Sequence, residues 1–167
     1  MASSSSFDVS TGADLQEVDN AVNQTTKEIG QRYDFKGTNC TIEFDRAAAV
    51  IKLAADDEFR MKQVVDVLMA KCAKRGVPGK NLKVSDFIPA AGTSVRATVT
   101  LKQGIDQETS KKIIKAIKDQ GFKKIQSTIQ GDEVRVTSPS RDELQAVIAF
   151  LRSQDFGIEL KFGNYRG

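Results

Sequence analysis

No histidine occurs anywhere in the 167 residues, which removes the usual general base near neutral pH and the commonest metal ligand. Cysteine is scarce as well, with two residues. Cys40 alternates with Ile42 and Phe44, and Cys72 extends the apolar stripe of a helical segment. Both read as buried free thiols, with no partner for catalysis and no spacing for zinc. The acidic pair Asp56-Asp57 stands where a helix cap is needed. A phosphate loop of the Gly-x-x-x-x-Gly-Lys-Ser/Thr kind is missing. Gly76-Val77-Pro78-Gly79 follows a helix and precedes a strand, so a cap and turn explain it better than an RNA-binding Gly-x-x-Gly loop. No apolar run approaches the roughly 20 residues that a bilayer crossing requires. Met1 to Ser6 has neither the basic region nor the hydrophobic segment of a leader. The expectation is a non-enzymatic, soluble, cytoplasmic chain with a short disordered Ser-rich start, no cofactor, no metal and no membrane partner.

What is present is one order of elements spelled twice. Residues 7 to 88 and 93 to 166 each read strand, helix, strand, strand, helix, strand by hydrophobic period. In the first half Leu15, Val18, Val22 and Ile29 step by three or four, a hairpin follows on Ile42, Phe44, Ile51 and Leu53, and Met61, Val64, Leu68 and Cys72 form a second helical stripe. In the second half Val95, Ala97, Val99 and Leu101 alternate strictly with Arg96, Thr98, Thr100 and Lys102. Ile113 and Ile117 mark a helix, Val134 and Val136 a strand, and Ser140 with Glu143 a capping box before the stripe Leu144, Val147, Ile148 and Leu151. Ile158, Leu160 and Phe162 are expected to close the sheet. The fold class expected is α+β: tandem ferredoxin-like (βαββαβ, RNA-recognition-like) domains with antiparallel sheets, covering residues 1–90 and 91–167 about a joint at Pro89-Ala90-Ala91-Gly92. The first strand, on Phe7-Asp8-Val9, is far weaker than its counterpart in the second half, which leaves open that it is an edge piece joining the other half's sheet instead.

Helices on one side of each sheet leave the other side open. Charge is unevenly spread along the sequence, with 12 Lys and Arg against 13 Asp and Glu in residues 1–90, and 13 against 9 in residues 91–167. On the open side of the second unit Arg96, Thr98, Thr100, Lys102, Arg135 and Thr137 are expected to stand together, flanked by Gln126, Gln130 and Lys161. This is either an ordinary solvated sheet or a surface for phosphate and ribose, because cations neutralise phosphate while hydroxyls and amides bond sugar and base edges. Its central strands carry none of the aromatic rings on which RNA-recognition modules stack bases, so binding there would be led by phosphate. Lys111, Lys112, Lys115, Lys118, Lys123 and Lys124 make a second basic array, read as a solubilising helix face or a phosphate strip. The segment Arg32-Tyr33-Asp34-Phe35-Lys36-Gly37 interleaves aromatics with cations. It suits either stacking of a purine with contacts to its phosphates or the plain ending of a helix.

The segment Arg32 to Gly37, the stretch Leu101-Lys102-Gln103-Gly104-Ile105, the stretch Ile129 to Thr137 and the ending Phe162-Gly163-Asn164-Tyr165-Arg166 together resemble the bacterial YajQ family. The resemblance implies tandem ferredoxin-like domains and a nucleotide-binding role; relatives are linked to transfer RNA and GTP, and some to cyclic di-GMP sensing and transcriptional regulation. The matched motifs nominate Arg32, Tyr33, Lys36, Lys102, Gln103, Gln130, Asp132, Arg135 and Arg166 as nucleotide-binding residues. The leading expectation is a nucleotide- or RNA-binding protein without catalysis, regulatory in role. The rival is a protein-interaction adaptor or transcription modulator with incidental nucleotide affinity.

Overall fold

Helix boundaries fall where short polar side chains cap them. A computed structural model describes residues 4–167. Helix α1 (Leu15–Gln31) starts after Asp14, whose carboxylate accepts from the Gln16 N–H. Helix α2 (Glu58–Lys74) starts after Asp57, α3 (Gln107–Asp119) after Asp106 and α4 (Arg141–Arg152) after Ser140, each capping a backbone N–H three residues on. The neighbouring Asp56 does different work: both its oxygens accept from the Asn39 N–H, at 3.1 and 3.0 Å.

The strands are β1 (Ser5–Ser10), β2 (Thr41–Asp45), β3 (Val50–Ala55), β4 (Leu82–Val84), β5 (Ile88–Pro89), β6 (Val95–Leu101), β7 (Gln126–Gln130), β8 (Glu133–Ser138) and β9 (Lys161–Arg166). They form two antiparallel sheets. One has the order β7-β8-β1-β9; the other runs β2-β3-β6-β4, with β5 also paired to β6. Each is the sheet of a ferredoxin-like domain, but the two leading strands are exchanged: β1 pairs with β8 and β9, and β6 pairs with β3 and β4. The compact units are therefore Ala13–Lys102, and Gln103–Gly167 together with the chain up to Gly12.

This corrects the linear division at residue 90. Alternation states which face of a strand is buried and is silent on which sheet receives it. Phe7 and Val9 are wholly buried with Ile113, Val134, Val136, Val147 and Leu151, whereas Val95, Ala97, Val99 and Leu101 join Val18, Val22, Ile51, Met61 and Leu68. Two smaller expectations also change. Ser5 and Ser6 belong to β1 and are buried, so the Ser-rich start is structured from there, and residues 1–3 lie outside the described residues. The last strand begins at Lys161, and Ile158 is buried in the core ahead of it.

Candidate nucleotide-binding surfaces

Strand exchange also divides the basic surface expected from sequence. Arg96, Thr98 and Thr100 lie on β6 in the 13–102 unit, while Arg135 and Thr137 lie on β8 in the other. With β6 moved, the 13–102 unit holds 14 Lys and Arg against 12 Asp and Glu, and the remainder holds 11 against 10. The charge imbalance seen along the sequence is nearly levelled.

Of the nine residues named from the sequence, Arg32, Tyr33, Lys36 and Lys102 belong to the 13–102 unit, and Gln103, Gln130, Asp132, Arg135 and Arg166 to the other. Several of them are engaged in structure. Arg135 lies directly across from Asp8, and its guanidinium donates to both carboxylate oxygens, at 3.0 and 3.4 Å. Asn164, at a positive φ of 52° in the irregular pairing of β9, donates to Asp8 from the other side. Asp8 is 4% exposed. The Arg135 guanidinium, helped by Asn164, holds the Asp8 carboxyl below the usual carboxylate range despite burial. Asp132 accepts from the Ile105 N–H through its carbonyl at 2.9 Å, and its side chain lies so close to Gly104 that a Cβ there would come within 2.5 Å of Oδ2. The two Gly-containing motifs therefore meet as a loop-to-loop brace. Gln130 is exposed and donates to Thr128; Arg166 is exposed on β9.

The hexapeptide after α1 forms a single 3₁₀ turn over Tyr33–Phe35. The plain helix ending expected for it is met in part. Phe35 packs down to 4% exposure and Arg32 pairs with Asp34 at 2.8 Å and Glu28 at 3.7 Å, while Tyr33 stays 88% exposed and Lys36 is exposed beside it. The ion pair raises the Arg32 guanidinium further and lowers the Asp34 carboxyl, the mutual hydrogen bond being the larger cause for each.

The open face of the 13–102 sheet sets Arg96, Thr98 and Thr100 of the expected basic surface beside residues of the first half of the chain. Cross-strand register sets them in rows: Thr41, Ala54, Arg96 and Ile88; then Glu43, Lys52, Thr98 and Ser85; then Asp45, Val50, Thr100 and Lys83. Lys102 extends the β6 series and is exposed. The first two rows line a hollow of about 410 Å³. Lys52, Lys83, Arg96 and Lys102 form no ion pair within 4.0 Å among the described residues, and the acids Glu43 and Asp45 sit on the edge strand β2. Ser85 fixes the hollow's floor: its Oγ accepts from the Thr98 N–H at 2.9 Å. A signal for this face existed in the alternation of β3 and β6, but which strands lie side by side was not in it. No group of three or more His, Cys, Asp or Glu able to hold a metal occurs among the described residues.

The fold defines a tandem ferredoxin-like α+β protein in which one sheet joins the leading strand to the last third of the chain and the other is continuous within residues 13–102. The family model described as nucleotide-binding protein YajQ-like matches residues 5–166, and the chain belongs to this YajQ-like family. Among its relatives, a protein of Magnetococcus marinus is 51% identical over 161 residues, covering 96% of this chain and 98% of the relative. One from Bacillus cereus strain AH187 is 49% identical and one from Chloroherpeton thalassium 46%, each over 166 residues, covering 99% of this chain and 100% of the relative. All three are named nucleotide-binding proteins. No helix among the described residues is long and apolar enough to cross a membrane.

Proposed function

We propose that the chain binds a nucleotide or RNA through its phosphates on the open face of the 13–102 sheet, without catalysis, and serves a regulatory role through that occupancy. The observation that carries this reading is the hollow lined by Lys52 and Arg96, cations with no carboxylate within ion-pair distance among the described residues, together with Thr41, Thr98 and Ser85, with Lys83, Thr100 and Lys102 farther along the same face. Cations that outnumber the carboxylates on their face and pair with none favour a polyanion, and hydroxyls beside them suit phosphate and ribose oxygens. The names of the relatives agree in class. GTP, transfer RNA and cyclic di-GMP are the ligands to assay.

The test is a titration of these three against the wild type and the Lys52→Glu, Arg96→Glu double variant. The variant is expected to lose at least about tenfold in affinity, since each reversed charge removes a favourable phosphate contact and adds a repulsive one. Equal affinity sinks the reading. Incubation with each ligand, with and without a divalent ion, is expected to return it unchanged, because the chain has no histidine and no metal-holding constellation occurs among the described residues. A protein adaptor is the second reading, favoured by Ile88, which is 61% exposed at the rim of the hollow. A partner that survives nuclease treatment and is lost on Ile88→Asp substitution would support it.

A further inference from the structure

Two large rings in the 13–102 unit are left in water: Tyr33 is 88% exposed and Phe59, in the first turn of α2, is 63% exposed. Phe59 is joined to the turn that carries Tyr33 by stacked guanidinium groups. The Arg60 guanidinium lies over the Phe59 ring at 5.4 Å and over the Phe35 ring at 5.6 Å, and the Arg32 guanidinium lies over Phe35 at 5.4 Å. Hydrogen bonds lock this series. Arg60 donates to Gln63 at 2.8 Å, Gln63 donates to Asp34 at 3.3 Å, and Asp34 receives two bonds from Arg32. Guanidinium planes and rings so arranged are already ordered, which lowers the cost of adding one more flat group. The local acids are engaged: Asp34 by Arg32, Asp56 by Asn39 and Asp57 by the start of α2, leaving Glu58 as the exposed carboxylate. Lys36 and Arg60 have no ion-pair partner among the described residues.

This surface adjoins the row of Arg96. The Asn39 N–H bonds Asp56 and the Thr93 hydroxyl donates to the Asp56 carbonyl at 3.0 Å, so the turn, the start of α2 and the lead into β6 are tied at the end of the sheet where Thr41, Ala54 and Arg96 lie. From Lys36 to Thr41 the chain can span at most about 18 Å.

We propose that Tyr33 and Phe59 form a base-stacking platform, and that the ligand is single-stranded RNA: its unpaired bases lie on these rings while its phosphates pass Lys36 to reach Arg96. The proposal rests on the phosphate-binding reading above and specifies its substrate class. A duplex hides its base faces and cannot use the platform, whereas every unpaired base has one. A peptide partner would meet the same rings but gain nothing from the unpaired cations.

The experiment uses the full chain and a ten-nucleotide single-stranded RNA carrying 2-aminopurine, with an abasic oligonucleotide and a duplex of the same length as controls. Binding to the wild type is expected to quench 2-aminopurine fluorescence. The Tyr33→Ala, Phe59→Ala variant should lose the quench and at least about tenfold in affinity. Tyr33→Phe should retain both, and the abasic and duplex controls should bind as weakly as the double variant. Tyr33→Ala alone, at a site exposed to water, keeps the test valid if the double variant unfolds. Wild-type RNA binding without quenching, or with no preference over the abasic control, overturns the platform while leaving the phosphate reading intact if Lys52→Glu, Arg96→Glu still abolishes it. Unaltered RNA affinity in the double variant alongside loss of a protein partner overturns the platform as well. Failure of the wild type to bind any nucleotide or RNA removes both.

Discussion

Asp8 explains a residue that sequence reading placed among the ligand contacts. A carboxylate at the centre of a sheet needs a partner, and Arg135 across the strand pair supplies it, so the guanidinium is held by the protein. Arg135→Met leaves Asp8 nearly buried with Asn164 as its remaining side-chain donor and should cost about 2 kcal/mol, read from chemical unfolding. Because the Asp8 carboxyl is held below its ordinary value, the unfolded chain takes up the proton first. The stabilisation is complete above the ordinary carboxylate range and drains away as pH falls below about 4, so the variant should show a shallower acid decline in its unfolding midpoint. Cys72 gives a second check at this scale. Burial pushes its thiol up to about 11, so at pH 7 it should resist alkylation until the 13–102 unit unfolds. Rapid labelling of Cys72 in the native protein would contradict that placement.

At the scale of elements, β1 and β6 decide which pieces of the chain can fold. Residues 13–102 contain every strand of their sheet and the whole of one core. A 13–102 fragment should therefore unfold cooperatively, whereas fragments 1–90 and 91–167 each lack a central strand and should show no cooperative transition by circular dichroism. Most elements were legible in the sequence, because period, caps and turn residues are local signals: Asp14, Asp57, Asp106 and Ser140 start helices where the pattern required. Partner choice was not. The alternation of Val95 to Leu101 and the brevity of Phe7 to Val9 are compatible with either sheet, and the decision lies in contacts such as Asp8 with Arg135 that are 127 residues apart. The same gap hid the candidate face, since Lys52 and Thr98 become neighbours only through the pairing of β3 with β6. The aromatic turn was visible as a motif, but Phe59 and Arg60 joined it only through the packing of α2 beside α1.

For the whole molecule, a net charge of +3 is too small to drive association by itself. Binding should instead follow the few cations on one face. If Lys52, Arg96 and Lys102 each meet a phosphate of a single strand, the logarithm of affinity should fall with the logarithm of salt at a slope of about −2. Lys52→Glu, Arg96→Glu should bring that slope close to zero or reverse it. Charge removal on α3, for instance Lys111→Gln with Lys115→Gln, should leave it unchanged, and a slope carried by α3 would relocate the ligand to that helix.

The pairing of Phe7 with Val136 has a temporal side. Synthesis delivers the leading strand before any of its neighbours exist, and at elongation rates of roughly 5 to 20 residues per second about 6 to 25 s pass before residue 133 is made. During that wait the central domain can finish, leaving a short β-segment tethered to it through Gly12 and unable to seed its own sheet. Its brevity and its charged centre at Asp8 make it a poor template for stray pairing in the interval.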